Sequence, residues 1–304
     1  MTVSIVVPVF NSRETLPKLV ARLIEASPPD SEIILVDDGS DPATWKAIEA
    51  IAALNIKGIR LARNVGQHSA LLAGIREAKH PIIATLDDDL QNPPEELPNL
   101  LAALTDDVDV VYGVPRKIRQ SLWRSAASVV AKKSMRTILG YSHADEITSF
   151  RVFRSRLRQS FQDELGPGIS IDALLNWATT RFDSVEVQHD ARSLGRSNYN
   201  FWKLLRFMLD TATGYSTVPL RLATSLGLAT VTLSLGVLVW VLGRPLITGE
   251  SVPGFPFLAA TIAIFSGVQL IVLGVLGQYI GRMHFRVMNK PTYTIADRTD
   301  RISE

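Results

Sequence analysis

IIATLDDDLQNPPE, residues 82–95, combines a strand, an acidic turn and a helix start in one short stretch. The run IIATLD (82–87) is apolar and rich in β-branched residues, which is typical of a buried strand. Asn92, two prolines and Glu95 then form a pattern close to a helix capping box. A buried strand that leads into a helix through an acidic turn indicates an α/β unit.

The same alternation continues across the first part of the chain. Four further apolar runs predict strands: VSIVVPVF (3–10), EIILVD (32–37), IRLA (59–62) and DVVYG (109–113). Helical patterns lie between the strands, at 14–26, 43–53, 68–78 and 94–104. Asp41 before Pro42 predicts the cap of the second helix. Strands that alternate with helices predict a mostly parallel sheet with helices on both faces.

Five acidic residues stand at the ends of these strands: Asp37, Asp38, Asp87, Asp88 and Asp89. Because ligands bind outside the carboxyl ends of parallel strands, we expect the five carboxylates at one ligand-binding edge. Two unit charges about 4 Å apart repel by about 4 kcal/mol at an effective dielectric of about 20, so the cluster needs a cation, shifted pKa values or wide spacing. All-oxygen ligands favour Mg²⁺ or Mn²⁺. The alternative is that acidic residues at these positions are helix caps and solvated turn residues. We accept that alternative for the nearby Asp41.

Composition excludes several classes of protein. The 304 residues are 46% hydrophobic and 20% charged, with a mean hydropathy of +0.15, which rules out a disordered chain. The absence of cysteine excludes a disulfide scaffold, a thiolate metal site and a cysteine nucleophile. A net charge of only +2 predicts no nucleic-acid partner. The dinucleotide fingerprint, the P-loop, the serine-hydrolase elbow and the HExxH zinc motif are all missing from the sequence.

The apolar excess is concentrated in two windows near the C-terminus. Between Arg221 and Arg244 lie 22 residues without charge, and between Glu250 and Arg282 lie 31. About 20 helical residues cross a bilayer core, so both windows are long enough to span one. The alternative is a pair of buried core helices in a soluble protein. Neither window has the polar stripe that a soluble helix usually keeps.

Lysine and arginine near the windows predict their orientation. Three basic residues precede the first window and three follow the second, whereas the loop between them holds Arg244 opposed by Glu250. The six flanking residues are Lys203, Arg206, Arg221, Arg282, Arg286 and Lys290. This bias predicts both termini in the cytoplasm. Met1 leads directly into an apolar strand, so no signal peptide is expected.

Two further segments have the composition of interfacial helices. Residues 116–138 interleave basic side chains with leucine, tryptophan and valine, and the segment NFWKLLRFML (200–209) places Trp202 and Leu205 on one face. Both patterns are typical of helices that lie at a lipid surface. The alternatives are a solvated helix for the first segment and ordinary core packing for the second.

Four motifs then carry a family resemblance: VPVFN (7–11), VDDGS (36–40), RNVGQHSALLAG (63–74) and LDDDLQNPPE (86–95). Together they resemble the family 2 glycosyltransferases, and more closely their dolichol-phosphate mannose synthase-like branch. Four later segments resemble the bacterial polyprenyl-phosphate glycosyltransferases with two C-terminal spans: RSLGRSNY (192–199), PLRLAT (219–224), GQYIGR (277–282) and NKPTY (289–293). The resemblance implies a GT-A fold, which is Rossmann-like with a mostly parallel sheet, followed by a two-helix transmembrane hairpin.

The resemblance also implies a domain plan. Residues 1–199 are expected to form a cytoplasmic GT-A domain, and residues 200–220 a juxtamembrane interfacial helix. Residues 221–281 are expected to form the hairpin, with spans at about 222–243 and 257–280, and residues 282–304 a cytoplasmic tail. The implied location is the inner membrane. Small residues in the spans suit helix packing, so a homo-oligomer is an expected state.

Site residues follow from the family motifs. Metal ligands for Mg²⁺ or Mn²⁺ are expected at Asp87, Asp89 and Gln91. Nucleotide contacts are expected at Pro8, Val9, Asn11, Asp37, Asp38, Gly66, Asp87 and Asp88. Contacts to the donor and acceptor phosphates are expected at Arg116, Arg124, Arg192 and Ser197. Asp87, Asp89, Arg116 and Arg192 are the residues to which the resemblance assigns catalysis.

The chain also departs from the family pattern. Ser12 stands where an acid is usual, Gln67 and Asn198 stand where lysine is common, and Ser149 stands where some members carry aspartate. Because of Ser149, we assign no residue as a protein general base.

The implied reaction moves a sugar from a UDP- or GDP-sugar to polyprenyl phosphate with inversion. An acceptor phosphate already carries negative oxygen at neutral pH, so the enzyme mainly has to position the reactants and neutralise the leaving diphosphate. Alternatives are a processive polysaccharide synthase, a non-catalytic nucleotide-binding scaffold and a transporter. The first usually carries QxxRW, whereas here Trp123 precedes Arg124. The last needs a polar path that two uncharged spans lack.

Overall fold

The computed structural model describes residues 1–116, 146–161, 169–189, 213, 216–248 and 254–299. The chain divides into two compact units, one of residues 1–204 with 289–304 and the other of residues 205–288. Of the predicted interfacial segment 116–138 the structure describes only Arg116, and of the predicted segment 200–220 it describes only residues 213 and 216–220.

Within the described ranges the first unit contains one sheet of eight strands. In chain order the strands are β1 (Val3–Val9), β2 (Glu32–Asp37), β3 (Ile56–Leu61), β4 (Ile82–Thr85), β5 (Val110–Pro115), β6 (Arg151–Arg154), β7 (Phe182–Val187) and β8 (Ile295–Arg298). Their spatial order is β7-β5-β6-β4-β1-β2-β3-β8. Strands β1 to β4 are parallel, as are β5 and β7, whereas β6 and β8 are antiparallel to their neighbours. The predicted mostly parallel sheet and its five strands are confirmed.

Five helices accompany the sheet in the described part of the first unit. They are α1 (Leu16–Ala26), α2 (Pro42–Ile51), α3 (Gln67–Glu77), α4 (Leu97–Ala103) and α5 (Ile171–Ala178). Every residue of β1 and β2 is buried, as expected for parallel strands covered by helices on both faces. The four predicted helices are confirmed, whereas α5 and the strands β6 to β8 had no clear sequence signal.

The two predicted helix caps have different outcomes. Asp41 caps α2, because its side chain accepts a hydrogen bond of 2.7 Å from the Thr44 N–H. The capping box at Asn92 is wrong, since a 3₁₀ turn of Pro94–Glu96 precedes α4 and neither start has a side-chain cap.

The end of the chain belongs to the first unit. Ile295–Arg298 extends the sheet as β8 beside β3, in a segment for which the sequence predicts only a tail. The Arg298 guanidinium donates to both carboxylate oxygens of Glu77 on α3, at 2.7 and 2.9 Å. The Arg76 guanidinium lies 5.6 Å from the centre of the Tyr293 ring. These contacts fasten the segment that follows the apolar helices to the sheet of the first unit.

The second unit is a hairpin of two long helices, α6 (Val218–Thr248) and α7 (Gly254–Val287). The Tyr279 hydroxyl donates to the Ser216 carbonyl at 2.6 Å, and the Trp240 and Phe257 rings lie 6.1 Å apart, so the helices run antiparallel. Windows of 24 and 22 residues, with mean hydropathies of 1.9 and 1.6, are candidate transmembrane spans. Almost no residue of either window is buried, which argues against core helices of a soluble protein.

Five hydroxyl groups in α6 donate hydrogen bonds within the helix. Thr224, Ser225, Thr230, Thr232 and Ser234 each donate to the carbonyl four residues earlier. A hydroxyl bonded in this way needs no partner from water or another helix, so these polar residues are compatible with lipid.

Candidate active site

The turn after β4 holds the central acidic residues. Leu90 follows Asp89 with a φ of +62°, an uncommon backbone conformation for a side chain of this kind, and its side chain is buried in the core. Such a residue costs about 1–2 kcal/mol, which the buried leucine helps to offset. The reversal brings the Gln91 N–H to within 3.1 Å of Asp89 Oδ1. The acidic turn therefore has a defined shape at the carboxyl edge of the sheet.

Asp87 is held by two side chains that are distant in sequence. Its Oδ1 accepts from Gln67 Nε2 at 2.5 Å, and its Oδ2 accepts from Ser149 Oγ at 2.6 Å. Burial raises the pKa of Asp87 to about 6, the Ser149 hydrogen bond opposes the shift, and the like charges of Asp89 and Asp88 add to it. Ionisation of Asp87 is therefore unfavourable, and a nearby cation would lower its cost.

We expect Asp87→Asn to stabilise the metal-free protein at neutral pH. A carboxyl whose folded pKa exceeds its unfolded value stabilises the fold while it is protonated and loses that contribution as the pH rises through about 6. The substitution should raise the free energy of unfolding by about 1–3 kcal/mol near pH 7.5 and by almost nothing near pH 4. Thermal unfolding in EDTA measures both values, with exposed Asp183→Asn as the control. An equal gain at the two pH values would contradict the expectation.

Asp88 holds the loop that follows β1. Its Oδ2 accepts hydrogen bonds from the Phe10 N–H, at 3.0 Å, and from the Ser12 hydroxyl. Thr15 Oγ1 donates to the Asp88 carbonyl at 2.9 Å. An acid at position 12 would repel Asp88. Ser12, the residue that departs from the family pattern, instead donates a hydrogen bond to it. Burial raises the pKa of Asp88, which the hydrogen bonds from Ser12 and Phe10 oppose.

Asp37 and Asp38 stabilise the loop that follows β2. Asp38 accepts the N–H groups of Val65 and Gly66, at 2.8 and 2.9 Å, one on each oxygen, and burial raises its pKa against these bonds. Asp37 is fully buried, accepts the Ser40 N–H at 2.8 Å and pairs with Arg60 Nε at 3.3 Å. Their contacts to a nucleotide stay a prediction.

Asn11 joins the two loops. It has a φ of +54°, which asparagine tolerates better than most residues, and its side chain is exposed. Its N–H donates to Ser40 Oγ at 3.0 Å, and its Oδ1 accepts the Asp41 N–H at 3.0 Å. Pro8 and Val9, by contrast, are buried within β1.

The structure brings one of the predicted phosphate ligands to this edge. Arg116 follows β5, its N–H donates to the Val187 carbonyl at 3.1 Å, and its side chain is exposed. Arg124, Arg192 and Ser197 lie outside the described residues, as does Asn198.

The donor set suits a hard divalent cation. Asp87, Asp89 and Gln91 supply only oxygen ligands, and Asp87 is held in a cluster of like charge. Among the described residues no group of three or more His, Asp or Glu side chains converges to hold a metal alone. The role of Asp87, Asp89 and Gln91 as metal ligands stays a prediction.

A buried ion pair lies behind Asp87 and had no sequence signal. Arg151, at the start of β6, is almost fully buried and pairs with Asp172 at the start of α5. The Tyr112 hydroxyl donates to the same Asp172 oxygen at 3.1 Å. Gln67 and Ser149 stood out in the sequence only as departures from a motif.

The model of Glycosyl transferase family 2 matches residues 4–161, which include all of β1 except Val3, the strands β2 to β6 and the acidic turn. The chain belongs to this family. It is therefore a glycosyltransferase, and the predicted GT-A architecture is confirmed.

Two curated family 2 relatives resemble the chain over almost its whole length. Undecaprenyl-phosphate 4-deoxy-4-formamido-L-arabinose transferase from Proteus mirabilis is 38% identical, covering 96% of this chain and 92% of the relative. The protein of the same name from Aeromonas hydrophila is 36% identical with the same coverage. Both alignments are long enough to include the hairpin as well as the catalytic unit.

A crystal structure supports the fold. Glucosyl-3-phosphoglycerate synthase from Mycobacterium tuberculosis, in complex with Mn²⁺, UDP and glucosyl-3-phosphoglycerate, aligns with a TM-score of 0.55 at 16% identity. The match covers 70% of this chain and 80% of that one. A sequence identity of 16% between the two chains supports a shared fold and carries no information about shared substrates.

Proposed function

We propose that this family 2 glycosyltransferase transfers a sugar from a nucleotide-sugar donor to polyprenyl phosphate at the cytoplasmic face of the inner membrane. The observation that carries the proposal is the full-length similarity, at 38% identity, to an undecaprenyl-phosphate sugar transferase. The acceptor we propose is undecaprenyl phosphate, and the donor class is a UDP- or GDP-sugar.

The proposed reaction is a single displacement. An oxygen of the acceptor phosphate forms a bond to C1 of the sugar, the bond from C1 to the donor diphosphate breaks, and the nucleoside diphosphate leaves. The configuration at C1 is inverted. Because the attacking oxygen is already anionic, no side chain has to remove a proton, in keeping with a serine at position 149.

Asp87 and Asp89, with Gln91, are the residues that would hold Mg²⁺ or Mn²⁺. The cation would supply charge neutralisation for the departing diphosphate. Gln67 and Ser149 would keep Asp87 in place through their hydrogen bonds to its two oxygens. The Asp88 contacts to Phe10 and Ser12 would fix the neighbouring loop for the nucleotide.

Arginine side chains are proposed to bind the phosphates. Arg116 at the end of β5 presents an exposed guanidinium, and Arg124, Arg192 and Ser197 are assigned by motif. A guanidinium can bind a phosphate through two parallel hydrogen bonds, which fixes orientation as well as charge.

The connectivity of the chain supports the proposed topology. The chain leaves the catalytic unit before α6 and rejoins it after α7, where residues 295–298 enter the sheet as β8. Two antiparallel spans return to the side from which they start. We therefore propose that the catalytic unit and both termini are cytoplasmic, in agreement with the lysine and arginine bias.

A donor screen tests the function directly. Purified full-length protein in detergent is incubated with undecaprenyl phosphate, Mn²⁺ and radiolabelled UDP- or GDP-sugars, including UDP-4-deoxy-4-formamido-L-arabinose. We expect one donor to give a butanol-extractable product that requires the lipid phosphate. NMR of that product should show a C1 configuration opposite to the donor's, and a retained configuration would contradict the single displacement.

The same screen separates the remaining alternatives. A product that carries many sugars would indicate a processive synthase. Nucleotide binding without any lipid-linked product, across all donors, would indicate a scaffold without catalysis.

A further inference from the structure

A chain of hydrogen bonds runs from α5 to Asp87 through the buried side chains of Arg151 and Thr85. Asp172, in the first turn of α5, accepts from Arg151 Nη1, and Arg151 Nε donates to Thr85 Oγ1 at 3.0 Å. Thr85 Oγ1 donates to the Ser149 carbonyl at 2.8 Å, and Ser149 Oγ donates to Asp87 Oδ2 at 2.6 Å. The three links from Arg151 Nε to Asp87, at 2.6–3.0 Å, are within ordinary hydrogen-bond reach, so contacts continue from the ion pair at α5 to the acidic turn.

A second connection reaches the other oxygen of Asp87. The Ile171 N–H, adjacent to Asp172, donates to His68 Nδ1 at 3.3 Å. The residue before His68 is Gln67, whose amide donates to Asp87 Oδ1. Both oxygens of Asp87 are thus held by donors whose positions depend on contacts with the start of α5.

The buried members of this network have little freedom to rearrange. Arg151 is about 1% exposed and Thr85 is fully buried, so neither can exchange its partner for water. The Thr85 hydroxyl donates its single proton to the Ser149 carbonyl and accepts from Arg151, which sets its rotamer. Leaving one of these buried groups without a partner costs about 1–3 kcal/mol. The Ser149 hydroxyl is consequently presented to Asp87 in one orientation.

We propose that Thr85, Arg151 and Asp172 are positioning residues that hold Asp87 in its metal-binding geometry through Ser149. The inference rests on the proposed metal role of Asp87 and adds the residues that position its carboxylate for that role. None of the three is predicted to touch the metal or the substrates. Partners behind a metal ligand typically change metal affinity by about 10- to 100-fold when they are removed.

Direct Mn²⁺ binding provides the test. The free Mn²⁺ signal in electron paramagnetic resonance is titrated with full-length protein in detergent, with and without UDP. We expect Thr85→Val, which keeps the shape but removes the hydroxyl, to raise the Mn²⁺ Kd about tenfold or more. Thr85→Ser restores the hydroxyl and should stay within about twofold of the wild-type value. Loss of packing alone would affect the serine variant at least as much as the valine variant.

A matched control lies at the opposite edge of the sheet. Thr179 donates to the carboxylate of Asp109 at 2.7 Å, before β5 begins, so Thr179→Val removes the same kind of hydrogen bond far from the acidic turn. This variant should bind Mn²⁺ like the wild type. A double-mutant cycle then asks whether Thr85 acts through Ser149. The Mn²⁺ Kd of the Thr85→Val/Ser149→Ala protein should lie within about twofold of the Kd of Ser149→Ala alone.

The outcomes are distinct. Wild-type Mn²⁺ affinity in a folded Thr85→Val protein, or additive effects in the cycle, would overturn the inference and leave the proposed function intact. If Thr85→Val does not fold, Ser149→Ala and Ser149→Thr provide the same comparison at the last link, and equal Kd values for wild type and Ser149→Ala would overturn the inference. Absence of Mn²⁺ binding by the wild-type protein, with or without UDP, would overturn the metal role and this inference together.

Discussion

Asp89→Asn is expected to abolish sugar transfer while leaving the protein folded and membrane-bound. The carboxylate lies on the acidic turn beside Gln91, where it accepts a backbone hydrogen bond of 3.1 Å that an asparagine oxygen can also accept. The turn should therefore keep its shape but lose a negative ligand. Loss of about 4 kcal/mol of transition-state stabilisation corresponds to a rate reduction of about a thousandfold.

The measurement is the rate of lipid-linked product formation at saturating donor. Asp107→Asn is a matched control, because Asp107 is an exposed acid in the turn before β5, at the other end of the strands. It should retain wild-type activity. Circular dichroism and membrane fractionation establish that the Asp89 variant folds and inserts. Wild-type activity in that variant would remove the proposed metal site.

Gly39→Ala is expected to destabilise the catalytic unit more than any other glycine substitution at its carboxyl edge. Gly39 has a φ of +68°, and a Cβ there would lie 2.4 Å from the Asn64 nitrogen and 2.5 Å from the Arg63 carbonyl carbon. Both are backbone atoms, which cannot move aside as a side-chain end can. We expect a loss of about 3–5 kcal/mol in the free energy of unfolding. The loops that Asp38 joins would separate, and donor binding should be lost with them.

Gly66 separates the two causes of that loss. It also has a positive φ, +95°, but a Cβ there would meet no atom within 4 Å. Gly66→Ala should therefore cost only the conformational strain, about 1–3 kcal/mol. Urea unfolding of both variants measures the difference. An equal or smaller loss for Gly39→Ala would show that the close approach of the two loops contributes nothing.

Much of the architecture was predictable because it depends on local patterns. Apolar β-branched runs identify β1 and β2, which are buried on both faces. The carboxyl ends of parallel strands necessarily share an edge, so acids at strand ends had to meet there. Strand β6 escaped prediction because it is only four residues long, Arg151–Arg154, with a charged residue at each end. Arg151 is tolerated in the interior because Asp172 neutralises its charge.

The candidate site divides in the same way. Asp87 and Asp89 stand out because three consecutive acids after an apolar strand exceed what a turn requires. The donors to Asp87, by contrast, come from positions 20 and 62 residues away. Gln67 and Ser149 are uncharged and have many ordinary roles, so nothing local marks them as ligands of an aspartate.

The sequence by itself determined the order of the first five strands and four helices, the acidic edge and the two apolar windows. Each of these follows from the chemistry of neighbouring residues, namely hydrophobic periodicity, clustered charge and uncharged length. Only the tertiary structure decided which partners hold Asp87, how Arg151 is neutralised, and that residues 295–298 complete the sheet. Those features depend on contacts between distant segments, and such contacts are set by the packing of the whole unit rather than by any local pattern.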